Sequence, residues 1–138
     1  METTITEEAL DVVRRWAAIE LAGDVPAYEP LLAQDFHGVG PVGFVLDRTG
    51  WAQRHFGDLS NEEFDVRDPN VRTFGETVIV EGVLHQRTIA RGRDASGEFR
   101  VVLVLVREDD SWAIANIQLS GPLIAPDEVA PFLKDREL

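Results

Sequence analysis

Between Glu76 and Ser120 the chain reads as strands, and two of its runs are apolar on both faces. Val101 to Val106 is Val-Val-Leu-Val-Leu-Val, while Thr77 to Leu84 sets Val78, Val80 and Leu84 against Ile79 and Val83. A small antiparallel sheet ordinarily wets one face and alternates cleanly. Aliphatic side chains on both faces therefore predict a cover on each, helices on one side and a second copy of the chain on the other. Strands are predicted over about Phe64 to Phe74 (broken at Asp68-Pro69-Asn70), Thr77 to Arg91, Phe99 to Glu108 and Trp112 to Ser120. Hairpins at Gly75-Glu76, Gly92 to Gly97 and Glu108-Asp109-Asp110-Ser111 would join them.

The first third of the chain carries helical spacing instead. Ala9, Val12, Trp16 and Ile19 make one apolar stripe, and Leu10, Val13, Ala17 and Leu21 the next, with Asp11, Arg14 and Arg15 outside. Thr4 or Thr6 is placed to cap this helix, Glu7 and Glu8 suit its positive end, and Gly23 ends it. Asp24 opens a second, short helix that tolerates Pro26 in its first turn and carries Tyr28, Leu31 and Leu32. Phe36 to Gly40 and Phe44 to Leu46 form a small hairpin around Pro41-Val42-Gly43, and Asp47 caps a third helix running from Arg48 to about Phe56. Asp58 to Glu63 reads as a polar connection, and a short helix after Pro126 would close the chain. One α+β domain over residues 1–138 is predicted, with a core of about 5–122 and a tail of 123–138.

At 138 residues the chain can bury a core without staples, and it has no cysteine for a disulfide, a thiolate ligand or a nucleophile. Thirteen basic against twenty-five acidic residues give a net charge of −12, which repels phosphate backbones and anionic membranes. No nucleic-acid or membrane partner is expected. The acidic start, Met1 to Glu8, does not read as a signal peptide, and a cytoplasmic location is the expectation. The three histidines lack metal-site spacing, with no H-x-H or H-E-x-x-H, so neither metal nor cofactor is expected. Gly-x-Ser-x-Gly and a phosphate-binding loop are also missing. The acidic clusters Glu62-Glu63-Asp65, Glu108-Asp109-Asp110 and Asp135 to Glu137 read as solvated surface.

The Ala22-Gly23-Asp24 turn, the Gly40-Pro41-Val42-Gly43 corner and Val45-Leu46-Asp47-Arg48, in this order and spacing, resemble the NTF2-like superfamily. Gly92-Arg93-Asp94-Ala95-Ser96-Gly97 and the strand after it look like its SnoaL-like/DUF4440 group. Trp112 through Ser120-Gly121-Pro122 to Ala125-Pro126 is similar to the hub domain of the calcium/calmodulin-dependent kinase. The resemblance spans roughly residues 5 to 122. It implies a cone in which N-terminal helices pack in the concave face of a curved antiparallel sheet, with a pocket inside. Ketosteroid isomerases of this superfamily use a carboxylate base with a tyrosine and a neutral aspartic acid. Counted onto this chain, those positions fall on Trp16 (tyrosine), Gly40 (base) and Leu103 (aspartic acid), none of which can do that chemistry.

With the inward face taken from the resemblance, alternation would line the cone with Ile79, Glu81, Val83, His85 and Arg87 and with Val101, Leu103 and Leu105. Trp112, Ile114, Asn116, Gln118 and Ser120 would complete it. The candidate ligand-binding residues are Trp16, Trp51, His55, His85, Arg87, Leu103, Asn116 and Gln118, a mainly apolar lining with a few directional groups. His85 is the candidate catalytic base, with Arg87 to hold an anionic oxygen, or else it is a packed histidine. His55 either reaches the cone mouth or covers the edge of its helix, and Asn116 and Gln118 either line the pocket or tie strands together. Two functions follow: a small-molecule binding protein, or an isomerase, dehydratase or cyclase using His85. A third, an oligomerisation module, would predict rings larger than a dimer and no ligand-sized cavity.

The same alternation turns Val78, Val80, Leu84, Val102, Val104, Val106, Ile117 and Leu119 outward. Eight aliphatic side chains at roughly 1.5 kcal/mol each favour burial, and a twofold sheet-to-sheet homodimer is the simplest closed solution. The C-terminal segment folding back over that face is the alternative.

Overall fold

A computed structural model describes residues 4–123. Helix α1 (Ile5–Ala22) begins where Thr4 Oγ1 accepts from the Glu7 backbone N–H at 3.1 Å, which selects Thr4 over Thr6 as the cap. It ends at Gly23, whose φ of 66° permits the left-handed turn that returns its N–H to Ile19. A 3-10 turn at Val25–Tyr28 follows, then β1 (Leu32–Val39), β2 (Val45–Asp47) and α2 (Arg48–Gln53), capped by Asp47 and continued by a 3-10 turn over Arg54–Phe56. The remaining strands are β3 (Leu59–Phe74), β4 (Thr77–Ala90), the short β5 (Arg93–Asp94), β6 (Gly97–Glu108) and β7 (Ser111–Ser120). They form one sheet in the order β2-β1-β7-β6-β4-β3, with β5 beside β4.

The α+β cone is as the sequence implies, with α1 and α2 packed against the curled sheet. The sheet is mixed rather than wholly antiparallel, since β1 runs parallel to β7. Leu32 belongs to β1, not to the second helix. Asp58 to Glu63 is no connection either: β3 starts at Leu59, its alternation interrupted by an irregularity between Asn61 and Glu63. The closing helix after Pro126 and most of the tail lie outside the described residues. Among those described, no helix is long and apolar enough to cross a membrane.

Register settles which side chains enter the cone, and it reverses the expectation for β4. Val78 stands opposite Leu105 and Val80 opposite Leu103, and directly opposed residues share a face. Val78, Val80 and Leu84 are therefore inside, fully buried with Val101, Leu103 and Leu105. Ile79, Glu81, Val83, His85 and Arg87 point out. In β7 an irregularity between Val104 and Leu105 of its partner strand leaves Ala115 as an extra residue. A bulge of one residue exchanges the faces beyond it. Trp112 and Ile114 point in as expected, but past the bulge Ile117 and Leu119 join them while Asn116 and Gln118 turn out. Of the eight residues expected on the outer face, only Val102, Val104 and Val106 are there.

Aromatic rings fill the space between α1, α2 and the sheet. Trp16 meets Phe64 edge to face at a centroid distance of 5.1 Å, and Trp51 meets Phe36 likewise at 5.7 Å. Trp51 lies directly over Gly38 of β1, where a Cβ would fall 2.2 Å from the indole. Gly38→Ala is accordingly expected to cost about 1–3 kcal/mol through overpacking and to lower the midpoint of thermal unfolding by several degrees. Calorimetry checks this, and an unchanged midpoint would contradict the close approach.

Candidate functional site

Glu20 lies in register with Val12, Val13 and Trp16 on the buried face of α1 and is 1% exposed. Bare burial of a carboxylate is costly, and here four neighbours surround it. Its Oε2 accepts from Trp16 Nε1 at 3.0 Å, Trp51 Nε1 at 2.8 Å and Arg54 Nη2 at 2.7 Å. Its Oε1 accepts from Arg54 Nη2 at 2.9 Å and lies 3.4 Å from His55 Nε2. The Tyr28 hydroxyl stands 2.8 Å from the same His55 nitrogen, and the two rings stack. Asn61 then ties β3 to the helix by donating Nδ2–H to the Glu20 carbonyl, while Thr88 of β4 donates to Asn61.

Burial pushes the Glu20 pKa up, but the Arg54 charge and the hydrogen bonds of His55 and Arg54 outweigh it and bring it down to about 2. Burial, reinforced by the charge of Glu20, holds the Tyr28 phenol well above its ordinary range, so it stays protonated. A general base must meet its substrate and gain a proton near the working pH. Glu20 does neither: donors surround it, it is hidden from solvent, and it remains ionised. What it does is fix Arg54. The guanidinium also donates Nε–H to the Trp51 carbonyl at 2.8 Å and lies over the Trp51 indole, 3.9 Å from its centroid.

Arg54 connects this cluster to an open cleft of about 720 Å³ between α2 and the β1–β2 corner. One wall is the β1–β2 corner, with Val42, Phe44 and Leu46. Gly50, Gln53 and Arg54 of α2 and its 3-10 extension form another, and Gly57, Asp58 and Leu59 with Ala90 and Arg91 complete it. Most of this surface is apolar. Val42, 89% exposed, and Phe44, 44% exposed, stand at its lip with nothing over them among the described residues.

The structure does not bring the sequence-predicted site together. Trp16, Trp51 and Leu103 are inside the cone, but as buried core, with both indoles bonded to Glu20. His55 is buried against Tyr28 rather than at the mouth. His85 sits on the outer face with Nε2 3.0 Å from Glu63, and Arg87 beside it is exposed and pairs with Glu62 at 3.4 Å. Asn116 faces outward and ties strands together, donating to the His37 carbonyl, and Gln118 is exposed on that same side. A base at His85 acting inside the cone is thus excluded by the register of β4. Glu20 and Arg54 were missed, although a charge interrupting the α1 apolar stripe was visible in the spacing from Val12 and Trp16.

A family model described as the SnoaL-like domain matches residues 9–125. Among curated proteins, none matches the chain. Solved structures agree on the fold. An NTF2-like protein from Cytophaga hutchinsonii superposes with a TM-score of 0.81 at 18% identity, over 86% of this chain and 98% of that one. A candidate Ca/calmodulin-dependent kinase II association domain from Exiguobacterium sibiricum gives 0.79 at 19% identity, over 91% and 98%. The CaMKII hub of S. rosetta gives 0.74 at 18%, over 88% and 99%.

Proposed function

Because the chain belongs to the SnoaL-like domain family, on an NTF2-like cone, we propose that it binds a small, largely apolar organic molecule in the cleft between α2 and the β1–β2 corner. The carrying observation is the cleft itself: about 720 Å³, apolar on most of its surface, with a fixed guanidinium in its wall. That volume and lining suit a small ligand held by few directional contacts. Binding without catalysis is the reading favoured here. The buried carboxylate cannot take up a proton near neutral pH, and His85, the base expected from the sequence, is on the far side of the sheet.

Gly57 offers the test. Its backbone is extended and an added Cβ would meet nothing closer than a backbone oxygen at 3.5 Å, so Gly57→Trp fills the cleft without disturbing the core. The wild type is expected to retain small organic molecules detectable by native mass spectrometry or by ligand-observed resonance, and Gly57→Trp to lose at least ~90% of that binding by steric exclusion. Equal binding by a folded Gly57→Trp variant would place the ligand elsewhere.

A second reading concerns assembly, and the aliphatic outer face of the sheet favours it. We infer a homodimer through that face, built on Ile79, Val83, Val102, Val104 and Val106. The neighbours described as a hub and an association domain support self-association of this scaffold. Ile79 stands opposite Val104, so the patch crosses from β4 to β6, with Glu81 opposite Val102 and Arg100 opposite Val83 on the same face.

A further inference from the structure

A guanidinium carries five N–H donors in a rigid plane, and on Arg54 the contacts within the structure use two of them, Nε–H and the Nη2–H that points between the Glu20 oxygens. Nε–H goes to the Trp51 carbonyl, and Nη2 reaches both oxygens of Glu20, at 2.9 and 2.7 Å. The two hydrogens of Nη1 have no partner among the described residues. The side chain is 22% exposed where it lines the cleft. The other two nitrogens are engaged by Trp51 and Glu20, and the guanidinium lies over the Trp51 ring. The Nη1 pair is thus held in a fixed plane on a side chain that lines the cleft.

Electrostatics then select what that something is. Arg54 is not a free cation, because Glu20 holds its opposite charge at 2.7 Å and stays ionised. At the rim Arg91 and Asp58 bring one charge of each sign, joined through their backbones, where the Arg91 N–H donates to the Asp58 carbonyl at 3.1 Å. The lining with its backing is therefore electrically neutral, inside a protein whose net charge of −12 repels anions at long range. A carboxylate entering the cleft would lose hydration to meet a cation already neutralised. A carbonyl oxygen loses far less hydration and accepts the same two N–H groups.

With the cleft taken as the binding site, as above, we propose that it takes a neutral, mostly apolar molecule bearing a carbonyl or equivalent acceptor, which docks on Nη1 of Arg54. The apolar body lies against Phe44, Leu46 and Leu59, and the acceptor sets its orientation. Glu20, Trp16 and Trp51 are positioning residues for that donor rather than contacts of the ligand.

Three matched probes of similar size test this by calorimetric titration of the full chain: benzylacetone (a ketone), hydrocinnamate (its carboxylate counterpart) and n-butylbenzene (no acceptor). Benzylacetone is expected to bind about five- to tenfold tighter than either of the others, the effect of one good hydrogen-bonded acceptor. Arg54→Lys keeps a cation for Glu20 but lacks the second amino group, so it should bring the affinity for benzylacetone down to that for n-butylbenzene measured on the same variant. If Arg54→Lys proves unfolded, the wild-type ranking of the three probes decides alone. Equal affinities for all three, abolished by Gly57→Trp, would uphold the cleft and overturn the acceptor. Preference for hydrocinnamate would overturn it too. No binding by any probe, or binding that survives in Gly57→Trp, would remove the cleft reading and the acceptor with it.

Discussion

Glu20→Ala is expected to be the most damaging single substitution in this protein, lowering its stability by about 3–5 kcal/mol, the usual cost of breaking a buried ion pair. The loss has two parts. Arg54 is left as an uncompensated, largely buried cation, and the indole N–H groups of Trp16 and Trp51 are left without their acceptor. For a chain of this length the midpoint of thermal unfolding should fall by roughly 10 °C or more. Glu20→Gln should retain part of the packing but still lose the charge. The same carboxylate gives a defined acid dependence. Its folded pKa, about 2, lies below its ordinary 4.5, so its stabilisation is complete above pH 4.5 and is lost as pH falls from there toward 2. The share at stake is on the order of 3 kcal/mol. Denaturant melts of wild type and Glu20→Gln at pH 7 and pH 3 check it: the gap between them should narrow in acid. A loss under 1 kcal/mol for Glu20→Ala would mean that the cluster is not what holds α1, α2 and β3 together.

Val104→Glu should have the second large effect, and on assembly rather than folding. Val104 sits at the middle of the outer apolar patch, opposite Ile79 on one side and Asn116 on the other. A carboxylate buried there between two copies replaces aliphatic packing at the middle of the patch, while the cations of that face, Arg72 (paired with Glu81) and Arg100, lie toward its edges, and dimer affinity should fall at least a hundredfold. The monomer should stay folded because the side chain points away from the cone. Sedimentation at micromolar concentration is expected to give twice the 15.4 kDa chain mass for wild type and a single chain mass for Val104→Glu. A wild type that already sediments as one chain at that concentration would defeat the dimer.

Much of the fold could be read from the sequence because several local rules agreed. Thr4, Gly23 and Asp47 act as the caps their residue types suggest, and the family motifs lie at the turns where the structure bends. The faces of β4 were harder, since apolar residues occupy both. A signal existed even so: the set with Glu81, His85 and Arg87 carries all the charge of that strand, whereas Val78, Val80, Gly82 and Leu84 carry none. Preferring polar groups for a pocket led to the wrong face. The β7 bulge at Ala115 left no such mark, because small residues there fit a regular strand equally well, and only the pairing with β6 reveals it. The site failed for a related reason. The polar groups that matter are contributed by helix faces, Glu20 and Arg54, and meet across 34 residues of chain, a juxtaposition that strand alternation cannot express.

If the cone is closed around an ionised Glu20, recognition is left to its rim. The three tryptophan indole N–H resonances, followed in a proton–nitrogen correlation spectrum as the pH is lowered, test it most directly. Two of them, from Trp16 and Trp51, report on Glu20, and the third, from Trp112, whose indole donates to Glu8, reports on a different carboxylate. The two Glu20-bound signals are predicted to hold their positions through pH 4.5 and to move only as the pH approaches 2 or the protein unfolds. A titration of both near pH 4.5 in the folded protein would show an ordinary, solvated carboxyl and contradict the account.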